Sequence, residues 1–157
     1  MSSFPAHVTE SIDQGSVVQE YTPSQTGAET AAKAGELMFF DTADQKIKRC
    51  GADPALIAGI CEASSEANRV LTPNGKVPFR LLSPTVGVRM ASAVTLTEAN
   101  VGVATGYGIV RDANGNWCLD TTDVAAPRVF VYRIDTVTNA AYVRFMAANL
   151  QFDGIAS

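Results

Sequence analysis

Two runs of β-branched and aromatic residues near the C-terminal end constrain this chain more than any other feature. Arg128-Val-Phe-Val-Tyr-Arg-Ile134 and Ala140-Ala-Tyr-Val-Arg-Phe-Met146 flank the polar Asp135-Thr-Val-Thr-Asn139, which is the pattern of a β-hairpin. Strict alternation puts Arg128, Phe130, Tyr132 and Ile134 on one face, and Val129, Val131 and Arg133 on the other. In the second strand Ala141, Val143 and Phe145 oppose Tyr142, Arg144 and Met146. Neither face is cleanly polar. A hairpin of this kind lies within a sandwich or barrel, or turns one face to a partner subunit.

The same signals recur along the chain. Leu37-Met-Phe-Phe40 reads as a strand, Asp41–Gln45 as a turn, and Lys46–Cys50 as the returning strand. Leu56–Cys61 is apolar on both faces and reads as buried strand. Pro73-Asn-Gly-Lys76 is a turn before Val77–Leu82, and Pro78 assigns that run to a sheet edge. Val86, Val88 and Met90 alternate with Gly87, Arg89 and Ala91. Thr95-Leu-Thr-Glu98 has the form of a capping box and predicts a helical turn over Thr97–Asn100. Asn114-Gly115 sits between Gly106–Arg111 and Trp117–Asp120, the strongest short-range hairpin signal in the chain. The expected fold is mainly β, a single compact β-barrel or β-sandwich with very little helix.

Residues 1–34 read differently. They are polar, broken by Pro5 and Pro23, and predict an extended N-terminal arm with one short strand at Ser16–Tyr21; residues 35–157 form the β-rich body. Charge follows the same division. Glu10, Asp13, Glu20 and Glu29 against Lys33 make the arm −3 of the total −4, so the body is close to neutral. Such an arm suits docking to a basic protein surface. Basic residues gather only at Lys46, Lys48 and Arg49, which does not support a nucleic-acid partner. No apolar run approaches the ~20 residues of a membrane helix, and the N-terminal residues lack the pattern of a signal peptide. With 157 residues the chain can bury a core without metals or disulfides. Cys50, Cys61 and Cys118 are odd in number, widely spaced and accompanied by His7 alone, so neither a zinc site nor a disulfide framework is expected. They read as reduced cysteines of a protein made in the cytoplasm.

Four constellations invite a functional reading, and each has a structural counterpart. Gly102-x-x-x-Gly106-x-Gly108 lacks the Gly-Lys-Ser/Thr ending of a phosphate loop, and glycines in strands mark bulges or close approach. Asp112-x-Asn114-x-Asn116 opens like a calcium loop, but Trp117 stands where that loop needs Gly; a tight Asn-Gly turn explains the same residues. Asp120 and Asp123 offer carboxylate chemistry, though neighbouring surface aspartates after a strand are commonplace, and a nucleophilic triad would need the arm that carries His7 folded into a pocket. Trp117 with Tyr107 and Tyr132 offers a stacking platform for sugar or base, yet aromatics on strands usually fill cores and interfaces. No catalytic residue, cofactor site or metal site is assigned.

Ala34-Gly-Glu-Leu-Met-Phe-Phe40 opens a strand and Ile57-Ala-Gly-Ile-Cys-Glu-Ala63 closes a unit; Leu96-Thr-Glu-Ala-Asn-Val-Gly102 precedes the next hairpin, and the Val129–Phe145 hairpin follows near the C-terminal end. In these stretches, over about residues 34–147, the chain resembles the head decoration, or cement, proteins of tailed bacteriophages. It is a likeness in style and order of elements. It implies a β-tulip or small-barrel fold sitting as a homotrimer on the capsid exterior, and a non-enzymatic role in fastening the major capsid protein lattice. Val17, Val18 and Tyr21 would be the arm's apolar anchors, by position. Two rival readings stand beside it: a carbohydrate-binding β-module around Trp117, and a small oligomeric β-enzyme using carboxylates.

Overall fold

A computed structural model describes residues 4–11, 18–21, 34–43, 46–61 and 77–152. Among them eleven strands build two sheets, and the only helical pieces are 3-10 turns such as Glu98–Asn100 and Ala147–Asn149. In chain order the strands are β1 His7–Ser11, β2 Val18–Tyr21, β3 Leu37–Asp41, β4 Lys46–Arg49, β5 Gly59–Cys61 and β6 Val77–Leu81. They continue with β7 Val86–Ser92, β8 Gly108–Arg111, β9 Trp117–Asp120, β10 Val129–Asp135 and β11 Ala140–Phe145. The protein is mainly β, as the alternation predicts.

One sheet runs β10-β11-β7-β9-β8, with β1 also on β7; the other runs β2-β6-β5-β3-β4. β7 is the organising strand. One of its edges is covered by β11, and the other is shared by β1 along Val86–Arg89 and by β9 at Ala91 and Ser92. That central place buries β7 on both faces except at Arg89. Tyr107 bridges back to Val129, so the sheet curls toward itself through a single bridge without a continuous ladder. Leu37 and Ile60 from one sheet meet Val88, Met90, Leu119, Val129, Val143 and Phe145 from the other in the main core. Consecutive strand residues point to opposite faces, and Met38 accordingly joins Ile47, Ala58 and Cys61 in a second cluster.

Three sequence expectations are corrected by the fold. Strict alternation fails in β10, because a register shift between Val131 and Arg133 inserts one extra residue opposite β11. Val131 and Ile134 therefore both pack on the core, while Phe130 and Arg133 both face outward. Pro78 is not on an edge strand, since β2 pairs with β6 beyond it. The proline is tolerated because pairing with β5 stops at Phe79, so it has one strand neighbour and not two. The helical turn after Leu96 is capped by Thr97 and Asn100, two residues later than the Thr95–Glu98 spacing predicts. Asn100 Oδ1 accepts from the Thr97 backbone N–H at 2.9 Å and from Thr97 Oγ1 at 3.3 Å.

The arm predicted at residues 1–34 supplies β1 and β2, one to each sheet. Ala6 enters the main core. Gly35 is what permits this approach. Its φ is +82°, and a Cβ there would lie 2.8 Å from the Ala6 backbone. Of the proposed anchors, Val17 lies outside the described residues, and Val18 and Tyr21 begin and end β2, opposite Arg80 and Val77.

Candidate functional site

The residues singled out for chemistry are engaged in turns and packing. Asp112 Oδ1 accepts from the Asn114 and Asn116 backbone N–H groups at 2.8 and 2.9 Å, closing the tight turn around Gly115. Asp120 Oδ1 accepts from the Thr122 N–H at 2.9 Å and its hydroxyl at 2.6 Å. Asp123 Oδ1 accepts from the N–H groups of Ala125 and Ala126 at 3.2 and 3.1 Å. Both aspartates thus hold their own loops, in the manner of Asx turns. The N–H groups of Gly102, Gly106 and Gly108 go to the carbonyls of Val131, Val103 and Asp123. They form no common cradle. His7 is exposed and its Nδ1 lies 3.1 Å from the Pro5 carbonyl. Among the described residues no group of three His, Cys, Asp or Glu side chains is arranged to hold a metal ion.

Trp117 is completely buried, which leaves the indole no face for a sugar or base. Tyr107 is buried too, and its hydroxyl oxygen accepts from Asn100 Nδ2 at 3.3 Å. Of the three aromatics considered together, only Tyr132 reaches the outer surface region.

Trp117 belongs instead to an ionic cluster that sequence reasoning missed. Glu36, 1% exposed, stands just before β3. Its carboxylate accepts both terminal nitrogens of Arg111, one at 3.2 Å, and the Trp117 indole N–H at 3.2 Å. Arg49 Nε lies 3.4 Å away as a further ion-pair partner. Arg111 also donates to the Cys50 carbonyl at 2.9 Å and lies 4.6 Å from the Trp117 ring centroid. Arg111 and Trp117 are opposite each other on β8 and β9. The cluster therefore ties one sheet to the other. The only sequence signal was a lone glutamate leading directly into a buried apolar strand.

The thiols are withdrawn from chemistry by the same packing. Burial pushes the Cys50 thiol from its ordinary value of 9.0 up to about 12, aided by the nearby Glu36 carboxylate and opposed by Arg111. Burial, with Asp112 beside it, pushes Cys118 up to about 11. A neutral thiol is a poor nucleophile. Cys50, Cys61 and Cys118 are all buried, and none is in a disulfide. In the native protein at pH 8 they should resist a thiol-reactive dye, and all three should react once urea unfolds the chain; rapid native labelling of Cys50 or Cys118 would contradict this. The sign of the pH effect follows. Unfolded thiols ionise above about pH 9 while the folded ones stay neutral, so stability falls as pH rises from 9 toward 12.

What remains exposed and unusual is the outer face of the six-stranded sheet. The pairing registers align Arg133, Tyr142, Arg89 and His7 in one row across β10, β11, β7 and β1. The Arg133 guanidinium lies 3.8 Å from the Tyr142 ring centroid, and Arg89 lies 4.3 Å from that of Phe4. Phe4 packs in turn against His7, ring centroids 5.9 Å apart. The next row pairs Phe130 with Arg144, whose guanidinium lies 5.0 Å from the Tyr132 ring centroid. Asp135 faces Arg89 at 3.9 Å. The Thr138 hydroxyl and N–H, the main cause, hold the Asp135 carboxyl below its usual range. Arg133 and Arg144 have no carboxylate partner among the described residues. Phe130, 40% exposed, is one of the largest apolar side chains left in solvent. On an acidic chain this face is cationic and aromatic.

No protein-family model matches this chain, and neither a curated protein nor a solved structure is similar enough to count as a match.

Proposed function

We propose that this chain is a non-enzymatic virion structural protein, a capsid decoration protein that sits as a homotrimer on the exterior of a bacteriophage shell and binds the major capsid protein lattice. The observation that carries the reading is the outer face of the six-stranded sheet. Arginines stacked on tyrosines around an exposed phenylalanine have the composition of an interface centre, enriched in Arg and aromatic residues. Arginines held over rings lose less freedom on docking than free chains do. The order of elements supports it as well: β3 opens at Leu37, β5 closes at Cys61, and the β10–β11 hairpin spans Val129–Phe145, as in the resemblance. The acidic N-terminal segment adds strands within the fold, β1 along the stretch of β7 that β9 leaves open and β2 to the outer side of β6, by the same main-chain pairing that β-augmentation uses. Repetition over a shell multiplies weak contacts by avidity.

The test is co-sedimentation with shells of the phage or prophage whose genome encodes the chain, together with light scattering for the mass in solution. The wild-type protein is expected to bind shells and to have the mass of three chains. The triple variant F130S/R133E/R144E should keep its β spectrum and lose shell binding by on the order of a hundredfold or more, as removal of two or three interface anchors implies. Equal binding by the triple variant, or no binding by the wild-type protein, would overturn the reading.

A further inference from the structure

A groove of about 650 Å³ lies beside this face. Its walls are Pro84, the loop of Val101 to Ala104, and the β10–β11 hairpin with Phe130 and Arg144. The loop is stitched to β10 by the Gly102 N–H, which donates to the Val131 carbonyl at 2.9 Å, so the wall is held by backbone. The lining is apolar apart from Arg144 and Tyr132. Arg144 is the one charged residue there. Its Nε is inaccessible to solvent and has no hydrogen-bond acceptor, and no carboxylate among the described residues pairs with it. The guanidinium carbon lies 5.0 Å from the Tyr132 ring centroid, a cation–π contact that restrains the side chain.

A lone guanidinium at the wall of an apolar groove, without a carboxylate partner among the described residues, is a place for an acceptor supplied from outside the chain. A planar guanidinium presents paired N–H groups that match the two oxygens of a carboxylate. One cation balances one negative charge. The volume falls within the roughly 300–1,000 Å³ typical of small-molecule sites, which combine apolar walls with few polar groups.

We propose that this groove binds a small apolar monocarboxylate, with its carboxylate on Arg144 and its hydrocarbon body along Val101, Val103, Phe130 and Pro84. The groove shares Phe130 and Arg144 with the face assigned to the shell, but its ligand needs one chain and no shell, so the titration below is read on the isolated protein.

The experiment is calorimetric titration of the full chain with sodium octanoate, and separately with octan-1-ol and sodium acetate. Octanoate should bind, and octanol, which keeps the body and lacks the charge, should bind on the order of tenfold more weakly or worse, as loss of a charge-assisted hydrogen bond implies. Acetate keeps the charge and lacks the body, and should show no binding at the same concentrations. R144M should reduce octanoate affinity on the order of tenfold while leaving octanol binding unchanged. Comparison of octanoate with octanol on the wild-type chain needs no variant, so the proposal stands or falls even if R144M does not fold. Absence of octanoate binding, or equal affinity for octanoate and octanol, would overturn it. So would octanoate binding that R144M leaves intact. If octanoate binds only at dilutions where light scattering shows single chains, and not in the oligomer, the groove belongs to a second copy of the chain and the proposal is likewise overturned.

Discussion

Exchanging Glu36 for glutamine should cost about 3 kcal/mol of folding stability, and exchanging it for leucine somewhat more, within the roughly 3–5 kcal/mol expected for breaking a buried ion pair. The cause is charge left without its counterpart. The carboxylate is fully buried and accepts from both terminal nitrogens of Arg111 and from the Trp117 indole, with Arg49 alongside. Without it, two guanidinium groups face each other across the junction of the sheets. Their side chains are 22% and 26% exposed, so water recovers part of the loss. That places the effect at the lower end of the range. Urea denaturation followed by far-UV circular dichroism measures it, and a loss below about 1 kcal/mol would show that the cluster is not what joins the sheets. Replacing both partners with apolar groups should cost less than removing Glu36 alone, since no charge is then stranded there by that pair. E36L/R111M is therefore expected to be more stable than E36L.

Exchanging Trp117 for alanine should cost about 3–5 kcal/mol, the range for removing a buried large aromatic and leaving a cavity. Trp117 is the first residue of β9 and is completely buried among residues from both sheets. The phenylalanine variant isolates the polar part. It keeps a ring in the core and loses the N–H that donates to Glu36, for which about 1–3 kcal/mol is expected from an acceptor left short of a partner. Because Trp117 and Glu36 touch, the two substitutions should fail to add, with a coupling of about 0.5–3 kcal/mol in a double-mutant cycle. Strict additivity would mean that the indole contributes by volume alone. Trp117 is the only tryptophan, so its own fluorescence gives a direct check in the wild-type protein. Its emission should be blue-shifted and shielded from acrylamide until the chain unfolds.

Much of this fold is legible in the amino-acid sequence because the chemistry that sets it is local. Asn114-Gly115 predicts the β8–β9 turn because glycine reaches φ of +77° there without strain. The hairpin of β10 and β11 is readable because β-branched and aromatic residues flank a polar turn. Asn139, at φ 51°, is of the residue type that tolerates the left-handed region. These signals act within a few residues, so they survive in the sequence as pattern.

Which strand lies beside which is a different matter. Glu36 and Arg111 are 75 positions apart. The Gln151 side chain, 111 positions from Phe40, donates to its carbonyl and accepts from its N–H at 2.7 Å, taking the place of a strand neighbour that β5 does not reach. Nothing near Glu36 or Gln151 announces such a role, since a polar residue beside a strand is ordinarily solvated. The bulge that turns Arg133 outward, the interior position of Pro78 and the unpaired Arg144 beside its groove have the same origin. The positions of strands and turns depend on neighbours in the chain, and the order of residues alone carries them. Which polar groups are buried, and which face is left uncovered, was settled only in three dimensions, where apolar surfaces far apart in the chain meet.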